Sequence, residues 1–96
     1  MMMCGGFGQS RPADDEVKAI TTEMKPKVEQ ALGKTYTQFE AVSFTTQVVA
    51  GVNYKIKVKV GDEDYVHIKV FVPLPCNSTE KQLMSQEEGK KLNDAL

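Results

Sequence analysis

The chain has 96 residues, of which 41% are hydrophobic and 26% are charged, and its formal net charge is -1. This length and composition predict a single globular domain (1–96) whose core needs no disulfide framework. The near-neutral charge argues against binding to nucleic acid or to a membrane surface through bulk charge, and no apolar run reaches membrane-spanning length.

The first residues predict a flexible segment that precedes the folded part. Residues 1–11 are apolar at first and then rich in glycine, without a helical period. We expect them to form an N-terminal trunk that adds at most a short edge strand. They lack the basic start and the apolar core of a secretory signal, so we expect a cytoplasmic protein. In that compartment Cys4 and Cys76 are expected as reduced thiols.

The next segment predicts one amphipathic helix. Acidic residues after Pro12 suit a helix N-terminus, and Gly33 suits its C-terminal end. Between them apolar residues recur at steps of three and four, namely Val17, Ile20, Met24, Val28, Ala31 and Leu32. Pro26 falls inside this stretch and removes one backbone hydrogen bond. Because the apolar stripe continues in phase across Pro26, we expect one long helix with a kink rather than two shorter helices.

The remainder predicts antiparallel strands. Residues 34–46 predict a strand with a bend or bulge, because their large apolar side chains do not fall on one parity. Residues 52–60 alternate strictly between apolar and polar, and residues 65–72 alternate again after the polar turn 61–64. The stretch 77–96 is mostly polar, so we expect a last strand to be short or absent. One helix and four to five antiparallel strands predict an α+β domain with the helix laid across the sheet.

The residues of the chain give little support for an enzymatic function. His67 is the only histidine, and a single imidazole makes neither a metal site nor a catalytic triad, so we expect it to face solvent on its strand. The carboxylates at 62–64 lack the ligand spacing of a calcium loop. The alternating Lys55, Lys57 and Lys59 indicate a solvated outer face rather than a nucleic-acid surface. We expect no metal and no cofactor, and a cysteine hydrolase is the least favoured interpretation.

The connection between the first two long strands is unusually apolar. Gln47, Val48, Val49, Ala50 and Gly51 carry no charge, although hairpin tips are usually built from polar turn residues. The valines either belong to a strand and pack inward, or they are exposed for a partner that buries them. The residues by themselves leave both interpretations open.

This connection and its surroundings resemble the stefins, the single-domain intracellular cystatins. The matching features are the run Gln47–Gly51, the pair Asn53-Tyr54, the acidic turn Gly61–Asp64, the upstream Gly5 and the downstream pair Leu74-Pro75. The resemblance extends from Cys4 to about Pro75 and implies the cystatin fold, an antiparallel sheet wrapped around one helix. The chain departs from the stefin pattern in having no aromatic residue after Phe71.

The resemblance also implies a function. In the stefins a trunk glycine, the first hairpin loop and a second hairpin with Leu-Pro form an apolar wedge that enters the cleft of a papain-like protease. By this likeness the protease-binding residues are Gly5, Gln47, Val48, Val49, Ala50, Gly51, Leu74 and Pro75. The implied protein is no enzyme but a reversible, tight-binding inhibitor of papain-like cysteine proteases such as cathepsins L, S, H and B.

An alternative is a cystatin-fold interaction module that does not inhibit proteases. We expect a monomer, and the sequence allows two routes to a dimer. Straightening of the segment Val48–Gly51 would let two copies exchange halves. Oxidation of Cys4 or Cys76 would link two copies through a disulfide.

Overall fold

The computed structural model describes residues 8–74 and 80–96. These contain one helix and a five-stranded antiparallel sheet whose strands lie in the order β1-β2-β3-β4-β5. The elements are β1 (Arg11–Pro12), α1 (Asp15–Leu32), β2 (Glu40–Val49), β3 (Gly51–Gly61), β4 (Asp64–Pro73) and β5 (Gln82–Lys90). The predicted α+β architecture of one helix and four to five strands is therefore confirmed. No helix in the described ranges is long and apolar enough to cross a membrane.

Helix α1 begins and ends at the residues that favour these positions. The Asp14 carboxylate accepts a hydrogen bond from the Val17 backbone N–H at 2.9 Å, which satisfies one free donor of the first turn. Gly33 ends the helix in the left-handed conformation, with a φ of 68°. Pro26 lies inside this single continuous helix, so the prediction of one helix is confirmed and its kink stays a prediction.

The core lies between α1 and one face of the sheet. The helix contributes Val17, Ile20, Met24 and Val28 of its predicted apolar stripe with Leu32 half-buried beside them, whereas Ala31, also predicted for the stripe, is exposed. The long central strands contribute every second residue. The largest fully buried apolar side chains are Met24, Ile56, Ile68, Val17, Val28, Val58, Val66 and Val70. This alternation places the residues between them, such as Lys57 and His67, on the outer face of the sheet, which is the face opposite α1.

Strand β2 starts later than predicted. Residues 34–39 form a connection in which the Tyr36 backbone N–H donates to the Glu29 carboxylate of α1 at 2.8 Å. The rings of Tyr36 and Phe39 stack with centroids 5.7 Å apart. These contacts hold the segment against the end of the helix, so the prediction of a strand from residue 34 is wrong. The predicted bulge is confirmed, because the register of β2 against β3 shifts between Ala41 and Ser43.

Strand β5 corrects the expectation of a short or absent last strand. It has 9 residues and pairs with β4. Its register against β4 shifts between Tyr65 and His67 and again between Lys69 and Val70. Each shift changes the face to which the following side chains point, and β5 lies at the sheet edge with most of its residues in contact with water. A strand of this kind shows no apolar alternation in its sequence.

The outer face of the sheet is not solvated throughout, as the lysine stripe had suggested. Residues 91–96 lie across it, and the exposed fractions of Lys57 and His67 are only 5% and 8%. The predictions of a solvent-facing His67 and of a fully solvated Lys57 are therefore wrong. The cause is a covering segment more than twenty residues away in the chain, which the alternation of one strand cannot reveal.

Candidate functional site

The first hairpin tip is formed by a single connecting residue. Strand β2 ends at Val49 and β3 begins at Gly51, so only Ala50 lies outside the ladder. Val48 pairs with Val52, and Val49 pairs with Gly51. The two valines thus belong to the strand, yet 70% of Val48 and 43% of Val49 is exposed. Neither valine packs into the core. The structure therefore favours the interpretation in which the valines are exposed over the one in which they pack inward.

Gly51 is required by its backbone and by its neighbours. Its φ is 138°, which disfavours any residue with a Cβ. A Cβ at this position would lie 2.6 Å from the Val72 carbonyl oxygen and 2.9 Å from two ring carbons of Phe71. The tip is therefore pressed against the end of β4, which limits its movement.

Gln47 and Asn53 tie the base of the tip together. They oppose each other in the β2–β3 ladder. The Asn53 side-chain amide donates to the Gln47 side-chain oxygen at 2.9 Å. This polar pair closes the hairpin immediately behind the valines. The arrangement is a paired ladder with an apolar end.

Leu74 lies at the same edge of the sheet as the tip. It follows Pro73, which opposes Gly51 across the β3–β4 ladder. Its side chain is 44% exposed. The structure thus brings Leu74 together with Val48, Val49, Ala50 and Gly51 at one end of the molecule. Pro75, the other predicted residue of this segment, lies outside the described residues.

The beginning of the described chain runs along β2 towards the tip. The Gly8 backbone N–H donates to the Thr46 carbonyl at 3.0 Å, and the Thr45 hydroxyl donates to the Gly8 carbonyl. Further along, Arg11 opposes Phe44 in the short edge strand β1. The antiparallel direction places Gly8 closer to the tip than Arg11. The predicted site residue Gly5 lies outside the described residues, as do the two cysteines.

Two contacts of this site could not be expected from the sequence. Thr45 and Thr46 hold Gly8 beside the base of the tip, and Phe71 with Val72 confines Gly51. No residue pattern signals either contact, because each joins segments distant in the chain.

The chemistry available at this end of the molecule is apolar contact. Residues 47–52 include no acidic, basic or nucleophilic side chain. Within the described ranges there is also no group of three or more His, Cys, Asp or Glu residues that could hold a metal ion. Exposed apolar residues at such an edge are suited to binding by burial of apolar area rather than to reaction.

Comparison with known proteins defines the family. The model of the cystatin domain matches residues 5–93, so the chain belongs to the cystatin family. Over 95 residues it is 44% identical to cystatin-A of Felis catus, which covers 99% of this chain and 97% of that protein. It is 43% identical to leukocyte cysteine proteinase inhibitor 1 of Sus scrofa, over 99% of this chain and 92% of that protein. Cystatin-B of Oplegnathus fasciatus is 39% identical, over 99% and 95%. The resemblance to the stefins is thereby confirmed.

Proposed function

We propose that the protein is a reversible, tight-binding inhibitor of papain-like cysteine proteases, which occludes their active-site cleft with the apolar edge formed by the tip and Leu74. The observation that carries the proposal is the exposure of Val48 and Val49 on a hairpin whose ladder is otherwise regular. A relative that is 43% identical bears the name leukocyte cysteine proteinase inhibitor 1, which supports the same function.

The binding energy comes from apolar area that the free protein leaves in water. Complete burial of a valine or leucine side chain contributes roughly 1.5–3 kcal/mol. Val48, Val49 and Leu74 lie at one edge, so a cleft of suitable shape could bury all of them at once. The hairpin ladder and the confinement of Gly51 hold the tip in place before binding, which reduces the conformational entropy lost in the complex.

Occlusion without cleavage follows from the same ladder. Val48 and Val49 are paired with Val52 and Gly51, so the backbone at the tip is held in a β-hairpin rather than as an open substrate strand. A tip in this state places side chains near a catalytic thiol without offering it a correctly positioned carbonyl. The tip has no group that could form a covalent bond with the enzyme, so the complex is reversible.

The proposal extends to the predicted contact residues Gly5 and Pro75, which lie outside the described residues. Gly5 would let the trunk run close to the enzyme surface, where a side chain would obstruct it. Met1–Cys4 would then occupy the substrate-side pockets, since methionine adapts to varied shapes. Leu74 and Pro75 would fill the leaving-group side. The position of Gly8 beside Thr46 and that of Leu74 beside the tip support this arrangement.

The proposed targets are cathepsins such as L, S, H and B, and the proposed active form is a cytoplasmic monomer. A domain-swapped dimer would join β2 and β3 into one long strand and remove the tip, so it would not inhibit. Size-exclusion chromatography after mild heating detects this form. A dimer linked through cysteine would appear on non-reducing gels and disappear with reductant.

The decisive experiment is a titration of papain with the reduced monomer and two variants. Val49→Asp places a carboxylate where the cleft would have to bury it, and Leu92→Asp is its matched control. Leu92 is also exposed, at 56%, but lies beside Asp62 and Glu63 at the opposite end of β3. We expect stoichiometric inhibition by the parent and by Leu92→Asp. Val49→Asp should bind weaker by roughly a hundredfold or more, since it loses apolar burial and buries a charge.

Two outcomes would contradict the proposal. Absence of inhibition by the parent would leave a cystatin-fold interaction module that does not inhibit proteases. Equal inhibition by the parent and by Val49→Asp would show that binding does not depend on the tip.

A further inference from the structure

Residues 91–96, called the strap below, cover the outer face of the sheet and are held there by a buried lysine. The Lys57 ammonium donates to the backbone carbonyl of Lys91 at 3.3 Å, to that of Leu92, and to that of Asp94 at 2.6 Å. The Lys55 ammonium donates to the Leu96 carbonyl at 3.4 Å. The strap therefore depends on cations of β3 for its position.

The strap has a defined shape where it meets Lys57. The Asp94 backbone N–H donates to the Lys91 carbonyl at 3.0 Å, and the Asp94 carboxylate accepts from the Lys91 backbone N–H at 2.8 Å. These reciprocal bonds close a tight turn whose carbonyl groups point at one ammonium. Three carbonyl acceptors around one cation compensate for its removal from water.

His67 lies beneath this arrangement. It opposes Lys57 directly in the β3–β4 ladder. Only 8% of the residue is exposed, and its Nε2 is buried without a hydrogen-bond partner among the described residues. A cavity of about 260 Å³ adjoins the imidazole, and Ala95 and Leu96 of the strap form part of its wall. The strap thus covers part of the imidazole without giving its Nε2 a hydrogen-bond partner.

The surroundings of His67 favour its neutral form. Burial lowers its pKa from the ordinary value of 6.5, and the charges of Lys57 and Lys90 lower it further, while Asp94 and Glu87 act in the opposite direction. Burial likewise lowers the pKa of Lys57, against the effect of Asp94. The titratable and charged groups that face the imidazole from β3, β4, β5 and the strap are Lys55, Lys57, Tyr65, Lys69, Glu87, Lys90 and Asp94.

We propose that protonation of the His67 imidazole releases the strap from the outer face of the sheet. A second cation opposite the buried Lys57 ammonium, on a residue that is itself buried, is unfavourable. Opening the strap hydrates both groups and removes the repulsion. The released state presents a lysine-rich surface that the closed state covers.

The direction of the pH dependence follows from linkage. With the strap closed, the His67 pKa is below 6.5, and with the strap open it returns towards 6.5. Between these two values the open state binds more protons. The closed state therefore has its full stability relative to the open state above pH 6.5, and this stability decreases as the pH falls below 6.5. For each unit by which closure lowers the pKa, protonation favours opening by a factor of about ten.

The test is nuclear magnetic resonance on the intact chain. His67 is the only histidine, so every imidazole signal reports on it. We expect the imidazole to titrate below 6.5. Hydrogen-exchange protection of the strap amides, corrected for intrinsic rates, should fall by about tenfold or more between about pH 7.5 and about pH 5, while that of β3 and β4 is retained. An ordinary imidazole pKa, or strap protection that does not change with pH, would overturn the proposal.

Three variants distinguish release of the strap by protonation of His67 from a loss of stability of the whole protein at low pH. His67→Gln cannot be protonated, so its strap protection should be independent of pH in this range. Lys57→Met removes the anchoring cation; its strap should be open at both pH values, and the pKa of its His67 should lie above that of the parent because burial by the strap and the charge of Lys57 no longer lower it. Lys59→Met removes a charge from the same strand and should behave as the parent. A protected strap in Lys57→Met would refute the proposal even if His67→Gln fails to fold.

Discussion

The two hairpins of β3 reverse the chain within the same sheet, yet they are built from opposite kinds of residue. The β2–β3 hairpin exposes Val48 and Val49, whereas the β3–β4 hairpin exposes the carboxylates of Asp62, Glu63 and Asp64. The polar hairpin shows that this sheet needs no apolar residues to turn. The fold therefore does not explain the exposed valines, which is consistent with the proposal that a partner buries them.

The two hairpins also differ in how closely they are packed. A Cβ on Gly51 would meet the Val72 carbonyl oxygen at 2.6 Å, whereas a Cβ on Gly61 would meet the Asp64 Cβ at 3.3 Å. The apolar tip is thus packed tightly against β4, while the polar turn has more space around its glycine. Under the proposed function, a tip that is held in place before it enters a cleft loses less conformational entropy on binding.

The largest effect is expected from Gly51→Ala. The added Cβ would collide with β4 and would also have to adopt a φ of 138°, so we expect a loss of roughly 2–4 kcal/mol in the free energy of unfolding. Gly89→Ala is the control, since Gly89 has a φ of 73° but no atom within 4 Å of the added Cβ. It should lose about 1–2 kcal/mol. Urea denaturation measures both, and equal losses would show that the tip is not wedged.

Truncation of the tip should weaken binding without unfolding the protein. Val48→Ala removes apolar area that is exposed in the free state, so papain affinity should fall roughly tenfold, or about 1–2 kcal/mol. The matched change at the polar hairpin, Glu63→Ala, should alter affinity by less than about twofold. Inhibition constants measured for the two variants check this difference. A larger loss of affinity in Glu63→Ala than in Val48→Ala would contradict the proposed role of the tip.

Loss of the helix cap should lower the stability of the protein without weakening its binding to papain, which is the reverse of the effect expected at the tip. Asp14→Ala removes the bond to the Val17 backbone N–H, so the free energy of unfolding should fall by about 1 kcal/mol. Because the Asp14 carboxylate caps α1 and is not part of the apolar edge, papain affinity should be retained. If papain affinity also falls at temperatures where the variant is folded, affinity follows the stability of the fold rather than the residues of the tip.

The smallest effect is expected at the Lys34–Glu88 ion pair near the polar end. Both side chains are about half exposed, at 51% and 45%. Glu88 raises the pKa of Lys34 by its hydrogen bond and its charge. Exposed pairs of this kind are screened by water. Lys34→Ala should therefore leave the urea midpoint and the inhibition of papain unchanged, and a clear shift in either would show that this end of the sheet matters more than proposed.

Local sequence patterns predicted the parts of the fold that depend on local chemistry. The helix stripe, its Gly33 end, the bulge near Val42 and the alternation of β3 each follow from residues close together in the chain. Strand β5 could not be predicted, because its register shifts against β4 hide the alternation. The burial of Lys57 and His67 was missed for a different reason, since a segment distant in the chain covers them.

The candidate site was predictable in composition rather than in geometry. The uncharged run at Gln47–Gly51 could be read from the sequence, but its exposure could not. Whether a valine in a strand faces the core or water at a hairpin end depends on where the partner strand stops. The proximity of Leu74 to the tip depends likewise on the pairing of Pro73 with Gly51.

The most direct test of the central claim is a hydrogen-exchange footprint of the protein in complex with papain. An apolar wedge predicts new protection at residues 47–51 and around Leu74, and none at the polar hairpin 61–64 or on the strap. Protection at the polar hairpin, with the tip exchanging as in the free protein, would contradict the assignment of the apolar tip as the binding edge.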